Sequence, residues 1–233
     1  MCNDYADIAF VADVSGSIGV DRQDPTYFDR QVKPFLRSLA RNLNIGPGKI
    51  QVGMVTFGNS GYLQFSLKSD VNEVIRGIDD TVYPLQGENT NTSAGIYVMR
   101  TKVLGFDSPN YRPDAAHIAI VITDGKSTFD HRNTVPFAED AKKQGIVIFS
   151  VGATDSIDLL ELTAIASRVP GFDFSAIQDA IKLGVSGISG SVAYSPTIEN
   201  LNGIVDELTH YLSRIDCQKA SGNFVVFLLV IRK

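Results

Sequence analysis

The chain is poor in the residues that bind metals through sulfur or nitrogen, with two cysteines and three histidines in 233 residues. Cys2 and Cys217 stand near opposite ends, so no C-x-x-C zinc or redox spacing exists. The pair reads either as two unrelated thiols or as a disulfide joining the ends of one domain, which implies an oxidising compartment. Basic charge is not in excess: 21 Lys and Arg stand against 26 Asp and Glu, for a net charge of −5. A nucleic-acid partner, which calls for a basic face, is therefore not expected. A membrane-spanning run is also missing, because crossing a bilayer takes about 20 apolar residues. The apolar stretch from Phe224 to Ile231 spans only ~12 Å as a helix. That tail, residues 218–233, reads as the stump of a membrane helix, an extra strand, or sequence foreign to the domain. The first residues, Met1-Cys2-Asn3-Asp4, carry no secretory signal, so an extracellular protein of this sequence is expected to be a piece of a longer one. Internal repeats and linkers rich in Pro or Ser are absent as well.

What is present is an ordinary globular composition, 44% hydrophobic and 20% charged. Apolar runs of strand length alternate with segments of helical period. Asp7 to Ala12 opens as a buried strand. Phe28, Val32, Phe35, Leu36, Leu39 and Leu43 then mark one helix face, with a kink or late start expected at Pro34. Lys49–Phe57 and Tyr62–Leu67 alternate with period two around Gly58-Asn59-Ser60-Gly61, a hairpin signal. Asp70 and Glu73 suit a capping pair for a short helix. Further helices are expected over 92–104, 135–144 (ending at Gly145), 157–167 and 198–215. Strands are expected at Ala116–Thr123 and Ile146–Val151. Strands apolar on both faces, alternating with helices, specify a doubly wound α/β domain. Its sheet is mostly parallel, with helices on both faces and one antiparallel edge strand. Ligand sites in such sheets lie at the carboxyl ends of the strands.

Three polar clusters fall at that edge: Asp13-Val14-Ser15-Gly16-Ser17, Asn89-Thr90-Asn91-Thr92-Ser93 and Thr123-Asp124-Gly125. All offer hard oxygen atoms, which suit Mg²⁺, Mn²⁺ or Ca²⁺ over Zn²⁺ or Cu²⁺. The D-x-S-x-S run after the first strand, the distant Thr90 and the distant Asp124-Gly125 resemble the metal-ion-dependent adhesion site of von Willebrand factor type A domains. The resemblance covers residues 4–217. It implies a metal site of Asp13, Ser15, Ser17, Thr90 and Asp124, with Mg²⁺ the expected ion and Mn²⁺ or Ca²⁺ alternatives. Thr92 is the neighbouring candidate ligand and is expected to cap a helix instead. Flanking cysteines are frequent in secreted members of the family, which favours the Cys2–Cys217 pairing.

The resemblance further implies an adhesion or matrix-assembly domain, secreted or part of a membrane protein's ectodomain. Its partner would be an extracellular matrix or cell-surface protein, collagen-like among the possibilities, that offers an Asp or Glu to the ion. A module of the same fold that assembles without the metal, and an intracellular scaffold with free thiols, are the alternatives. No enzyme and no small-molecule substrate is expected, because no general base stands in the motif.

Other motifs fall away. Asp124-Gly125-Lys126-Ser127-Thr128 ends like a phosphate-binding loop but has Ile120 where that motif needs Gly. Ser186 and Ser189 form no nucleophile elbow. His117, His131 and His210 are scattered and read as structural or surface residues. Asn91-Thr92-Ser93 is a formal glycosylation sequon whose place beside the metal loop argues against occupancy. Asp21, Asp24 and Asp29 read as a solvated face. Residues 170–193, with Phe174, Ile177, Ile181 and Leu183 at helical spacing, exceed what the family usually carries there. They are read as a surface insertion in preference to an extra helix or a ligand-contacting arm.

Overall fold

A computed structural model describes residues 5–16, 28–82, 89–123, 126–152, 157–168, 173–194 and 205–212. The order of elements is β1 (Ala6–Asp13), α1 (Lys33–Asn42), β2 (Gln51–Phe57), β3 (Gly61–Lys68), α2 (Val71–Asp80) and α3 (Thr92–Val98). There follow β4 (Ala116–Thr123), α4 (His131–Lys143), β5 (Ile146–Gly152), α5 (Leu159–Ile165), α6 (Phe174–Leu183), β6 (Gly187–Ser189), β7 (Val192–Tyr194) and α7 (Val205–Leu212). Among the described residues no helix is long and apolar enough to cross a membrane.

The strands form one seven-stranded sheet in the order β3-β2-β1-β4-β5-β7-β6. β1 pairs in parallel with β2 on one side and β4 on the other, so the winding reverses at β1. β1 is buried along its whole length and β4 at every residue but its first. This follows from their unbroken apolar sequences, which need cover on both faces. One core packs Phe10, Phe35, Leu36, Ile78, Ile120 and Leu208 against one face of the sheet. The other gathers Val11, Phe57, Ile96, Val121, Leu162, Ile177 and Tyr194 on the opposite face.

Local chemistry accounts for the element ends. A π-helical turn, Phe28–Val32, runs into α1, and Pro34 sits in the first turn of the α-helix, where a missing N–H costs nothing. This is the late start that the proline predicts. Asp70 caps α2 by accepting from the N–H groups of Asn72 and Glu73. Gly145, with φ +84°, ends α4 in the left-handed conformation. Asp29 is half exposed and pairs with Lys33 at 2.6 Å, while Asp21 and Asp24 lie outside the described residues.

The sheet is mostly parallel, as expected, with β3 antiparallel to β2 at one edge, and β6 adds an antiparallel pair with β7 at the other. Two expectations need correcting. α4 starts at His131, ahead of the expected 135, with Pro136 inside it. More consequential is the extra segment, which is no surface insertion. β7 pairs in parallel with β5, Val192, Ala193 and Tyr194 are fully buried, and Ile177 of α6 joins the core. β5 would otherwise end the sheet, and residues 173–194 supply the strands that cover it.

One glycine sets how closely the hairpin approaches α3. A Cβ at Gly61 would lie 2.8 Å from the Ala94 backbone carbonyl carbon and 2.8 Å from Val98 Cγ2. Backbone cannot step aside as a side-chain tip can, so Gly61→Ala is expected to destabilise by about 1–3 kcal/mol. Urea unfolding of parent and variant measures this; an unchanged midpoint would mean that the hairpin and helix can separate freely.

Candidate metal site

Asp13 is the last residue of β1, at the carboxyl end of the sheet and at the point where the winding reverses. Its side chain is fully buried. Oδ1 accepts the Ser15 backbone N–H at 2.8 Å, and Oδ2 accepts the Thr123 hydroxyl at 2.7 Å. Thr123 ends β4, the neighbouring parallel strand, so the carboxylate is held from two sides. Ser15 is buried directly after it.

Thr90 reaches the same edge through a row of backbone bonds. Val14 N–H donates to Phe57 O at 2.8 Å, and Asn91 N–H donates to Gly58 O at 2.8 Å. The end of β1, the turn after β2 and the residue after Thr90 are thus stitched in sequence. On its other side Thr90 is clamped by the segment that follows β4. The Thr90 N–H donates to Thr128 Oγ1 at 2.9 Å, while Thr128 N–H (2.9 Å) and Phe129 N–H (3.3 Å) donate to Thr90 O. Among the described residues no hydrogen bond uses the Thr90 hydroxyl, though the residue is only 3% exposed. Ser17 and Asp124 lie outside the described residues, as do Cys2 and Cys217.

The donors present fit a hard cation. Asp13, Ser15 and Thr90 offer oxygen only, and among the described residues no group of three or more His, Cys, Asp or Glu could hold a metal ion. A softer, nitrogen- or sulfur-bound metal has no ligands here.

Thr92 does not cap α3, contrary to expectation; Asn91 does. Asn91 Oδ1 accepts the Ala94 N–H at 3.0 Å and the Ser93 hydroxyl at 2.7 Å, while Nδ2 donates to Asn59 O at 3.1 Å. With its amide nitrogen so engaged and the residue buried, the sequon at Asn91 is closed to an attached sugar. Thr92 instead points its hydroxyl at Ser127 Oγ, 2.8 Å away. Phe129 stands exposed beside this edge, an apolar contact available to a partner.

At the opposite edge lies a polar cluster that the sequence reading missed. Asp7, fully buried at the start of β1, accepts from Arg112 Nε at 2.9 Å, Arg112 Nη2 at 2.6 Å and the Arg112 backbone N–H at 3.1 Å. The Tyr5 ring lies under the guanidinium at 4.2 Å, and His117 Nε2 sits 3.0 Å from Arg112 O. The only sequence signal was an acid at the head of an apolar strand, which demands a partner without naming one.

A doubly wound α/β domain with polar side chains at its switch point defines an architecture that receives ligands at that edge rather than a particular activity. The family model for the von Willebrand factor type A domain matches residues 7–181, and the chain belongs to that family. It is 29% identical to human collagen alpha-1(XX) chain over 93% of its length, and 34% identical to the transmembrane cell adhesion receptor mua-3 of Caenorhabditis elegans over 69%. The chain spans only 14% of that collagen and 4% of that receptor. Among solved structures it resembles proximal thread matrix protein 1 from the mussel byssus, with TM-score 0.72, 25% identity, 91% of this chain and 47% of that one. A form of that mussel protein with a zinc-occupied metal site aligns at TM-score 0.70 and 24% identity, covering 91% of this chain and 46% of the other.

Proposed function

We propose that this domain is an extracellular adhesion or matrix-assembly module that holds a protein ligand through a divalent cation. Asp13, Ser15, Ser17, Thr90 and Asp124 are the proposed ion-binding residues. The observation that carries the reading is the fastening of Asp13, Ser15 and Thr90 at the sheet's switch point, with the Thr90 hydroxyl uncommitted among the described residues. The kinship with a collagen chain, an adhesion receptor and a byssus matrix protein supports the matrix or cell-surface setting. Mg²⁺ is the proposed ion because every donor is a hard oxygen, with Mn²⁺ or Ca²⁺ as substitutes. The zinc in the mussel protein is a property of that protein.

The chemistry suits binding. Two carboxylates only balance the charge of a divalent ion and three neutral hydroxyls add none, so an open coordination position can still take an acidic side chain from the partner. Asp13 is buried and pinned by Thr123 and Ser15, so its carboxylate is held in place ahead of the ion. Matrix proteins that carry exposed Asp or Glu, collagen-like chains included, are the proposed partners.

Captured matrix proteins are expected to release in EDTA and rebind when Mg²⁺ is restored, as read by surface plasmon resonance. Binding indifferent to EDTA would make the domain a module that assembles through surface contacts with the metal idle. The extracellular setting has its own test. Denatured, unreduced protein from a secreting host should show no thiol reactive to maleimide; two labelled thiols would refute the Cys2–Cys217 bond and reopen an intracellular scaffold.

A further inference from the structure

We propose that Glu161 of α5 is a positioning residue for the ion-binding edge, holding Thr90 in place through Ser127; this rests on the metal-site reading above. Asp158 caps α5 by accepting from Leu160 N–H at 3.0 Å and Glu161 N–H at 3.1 Å. An acid three residues after an N-cap ordinarily turns back to the cap's own N–H. Glu161 does not. Its Oε1 accepts the Ser127 hydroxyl at 2.6 Å and the Ser127 N–H at 3.1 Å, and Oε2 lies 3.3 Å from the same nitrogen. The contact reaches across 34 residues of sequence, and among the described residues Glu161 pairs with no lysine, arginine or histidine. Its carboxylate is committed to one serine.

Ser127 is the hub that makes this matter. It is buried, and its Oγ lies 2.8 Å from Thr92 Oγ1 and 3.1 Å from Thr134 Oγ1, both threonines fully buried. A serine hydroxyl has one proton and two lone pairs. Of the three neighbours only Glu161 is anionic, and the contact to it is the shortest, so it takes the proton in a charge-assisted bond. Thr92 Oγ1 lies on the acceptor side of the same hydroxyl, and Thr134 can donate to Ser127 Oγ. Ser127 is thereby locked against Thr92, two residues past Thr90. The residues after Ser127, Thr128 and Phe129, clamp the Thr90 backbone on both its N–H and its carbonyl. Among the described residues Glu161 touches no proposed ligand, yet the Thr90 position depends on the segment that it anchors. Groups that orient ligands from behind typically change metal affinity by about 10–100-fold when removed.

The test is calorimetric titration of Mn²⁺ into the metal-free protein, with folding of each variant checked by circular dichroism. Glu161→Ala is expected to weaken Mn²⁺ binding about tenfold or more. Glu161→Gln, which keeps an oxygen to accept from Ser127, is expected to lose only about two- to fivefold, and it carries the test if Glu161→Ala does not fold. Thr134→Val removes a hydroxyl from the same cluster at a residue that, among the described residues, makes no hydrogen bond to Thr90, Thr128 or Phe129; it is expected to lower the melting temperature with Mn²⁺ affinity kept. Asp13→Ala serves as the control for the site itself. Parent-like affinity in Glu161→Ala, beside lost binding in Asp13→Ala, would overturn the role of Glu161 while leaving the site standing. So would an equal affinity loss in Thr134→Val, which would mark a general loosening. No Mn²⁺ binding by the parent would overturn the site reading and this role with it.

Discussion

Arg112→Ala is expected to destabilise the domain by about 3–5 kcal/mol, because it strands the Asp7 carboxylate in the interior without the guanidinium that pairs with it. Asp7 is fully buried, and Arg112 supplies it with three donors. Even so, burial outweighs the pairing: the Asp7 carboxyl is held above its ordinary value of 3.8, with the Arg112 hydrogen bonds and charge, and more weakly His117, pulling it back down. A carboxyl whose folded value is raised contributes stability that is complete below the unfolded value and lost as pH rises through the folded one. Removing Arg112 raises that folded value further. The deficit of the variant relative to the parent should therefore be smallest in acid and grow toward neutral pH. Urea unfolding at both ends of that range checks it, and equal deficits would show that Arg112 acts through packing on Tyr5 and not through charge. Adding Asp7→Asn to the variant should recover stability at neutral pH, since an amide carries no charge to strand.

Asp13→Ala is expected to weaken Mg²⁺ binding by at least about 100-fold, beyond the upper end seen for residues that only support a ligand. It is the one carboxylate of the proposed site among the described residues, and it is held rigidly by Thr123 and Ser15. The loss of those two bonds leaves a buried hydroxyl and a buried N–H without their acceptor, a cost of about 1–3 kcal/mol apiece. Asp13→Asn separates the two effects, because an amide oxygen still accepts from Thr123 or Ser15 but brings no charge to the ion. Calorimetry should find both variants deficient in Mg²⁺ binding, while thermal unfolding should place Asp13→Asn closer to the parent in stability than Asp13→Ala. Parent-like Mg²⁺ affinity in either would remove Asp13 from the ligand set.

Much of this architecture was legible in one dimension. Strands such as Ala116–Thr123 are apolar at nearly every position, and only burial on both faces makes that tolerable in water. The alternation with helices of period 3.6 then admits few windings. The place of Asp13 was legible too, because residues that end strands of a parallel sheet share its carboxyl edge whatever lies between them. These depend on local pattern and connectivity, which sequence carries directly.

The fold alone decided the rest, and in each case the reason is a partner far away in the chain. Residues 170–193 read as an insertion because nothing local shows that β5 lacks a neighbour; the sheet supplies the reason. Asp7 and Arg112 are 105 residues apart, and an isolated acid gives no hint of which cation desolvates with it. Glu161 stands three residues after Asp158 on a short helix, and nothing local shows that its carboxylate reaches Ser127, 34 residues away. Asn91 takes the capping role expected of Thr92 for the same cause: the turn after β2 offers Asn91 a carbonyl, and Ser127 offers Thr92 a hydroxyl. Hydrophobic period specifies which face of an element is buried, whereas the partner of each buried polar group is set only when the elements close on one another.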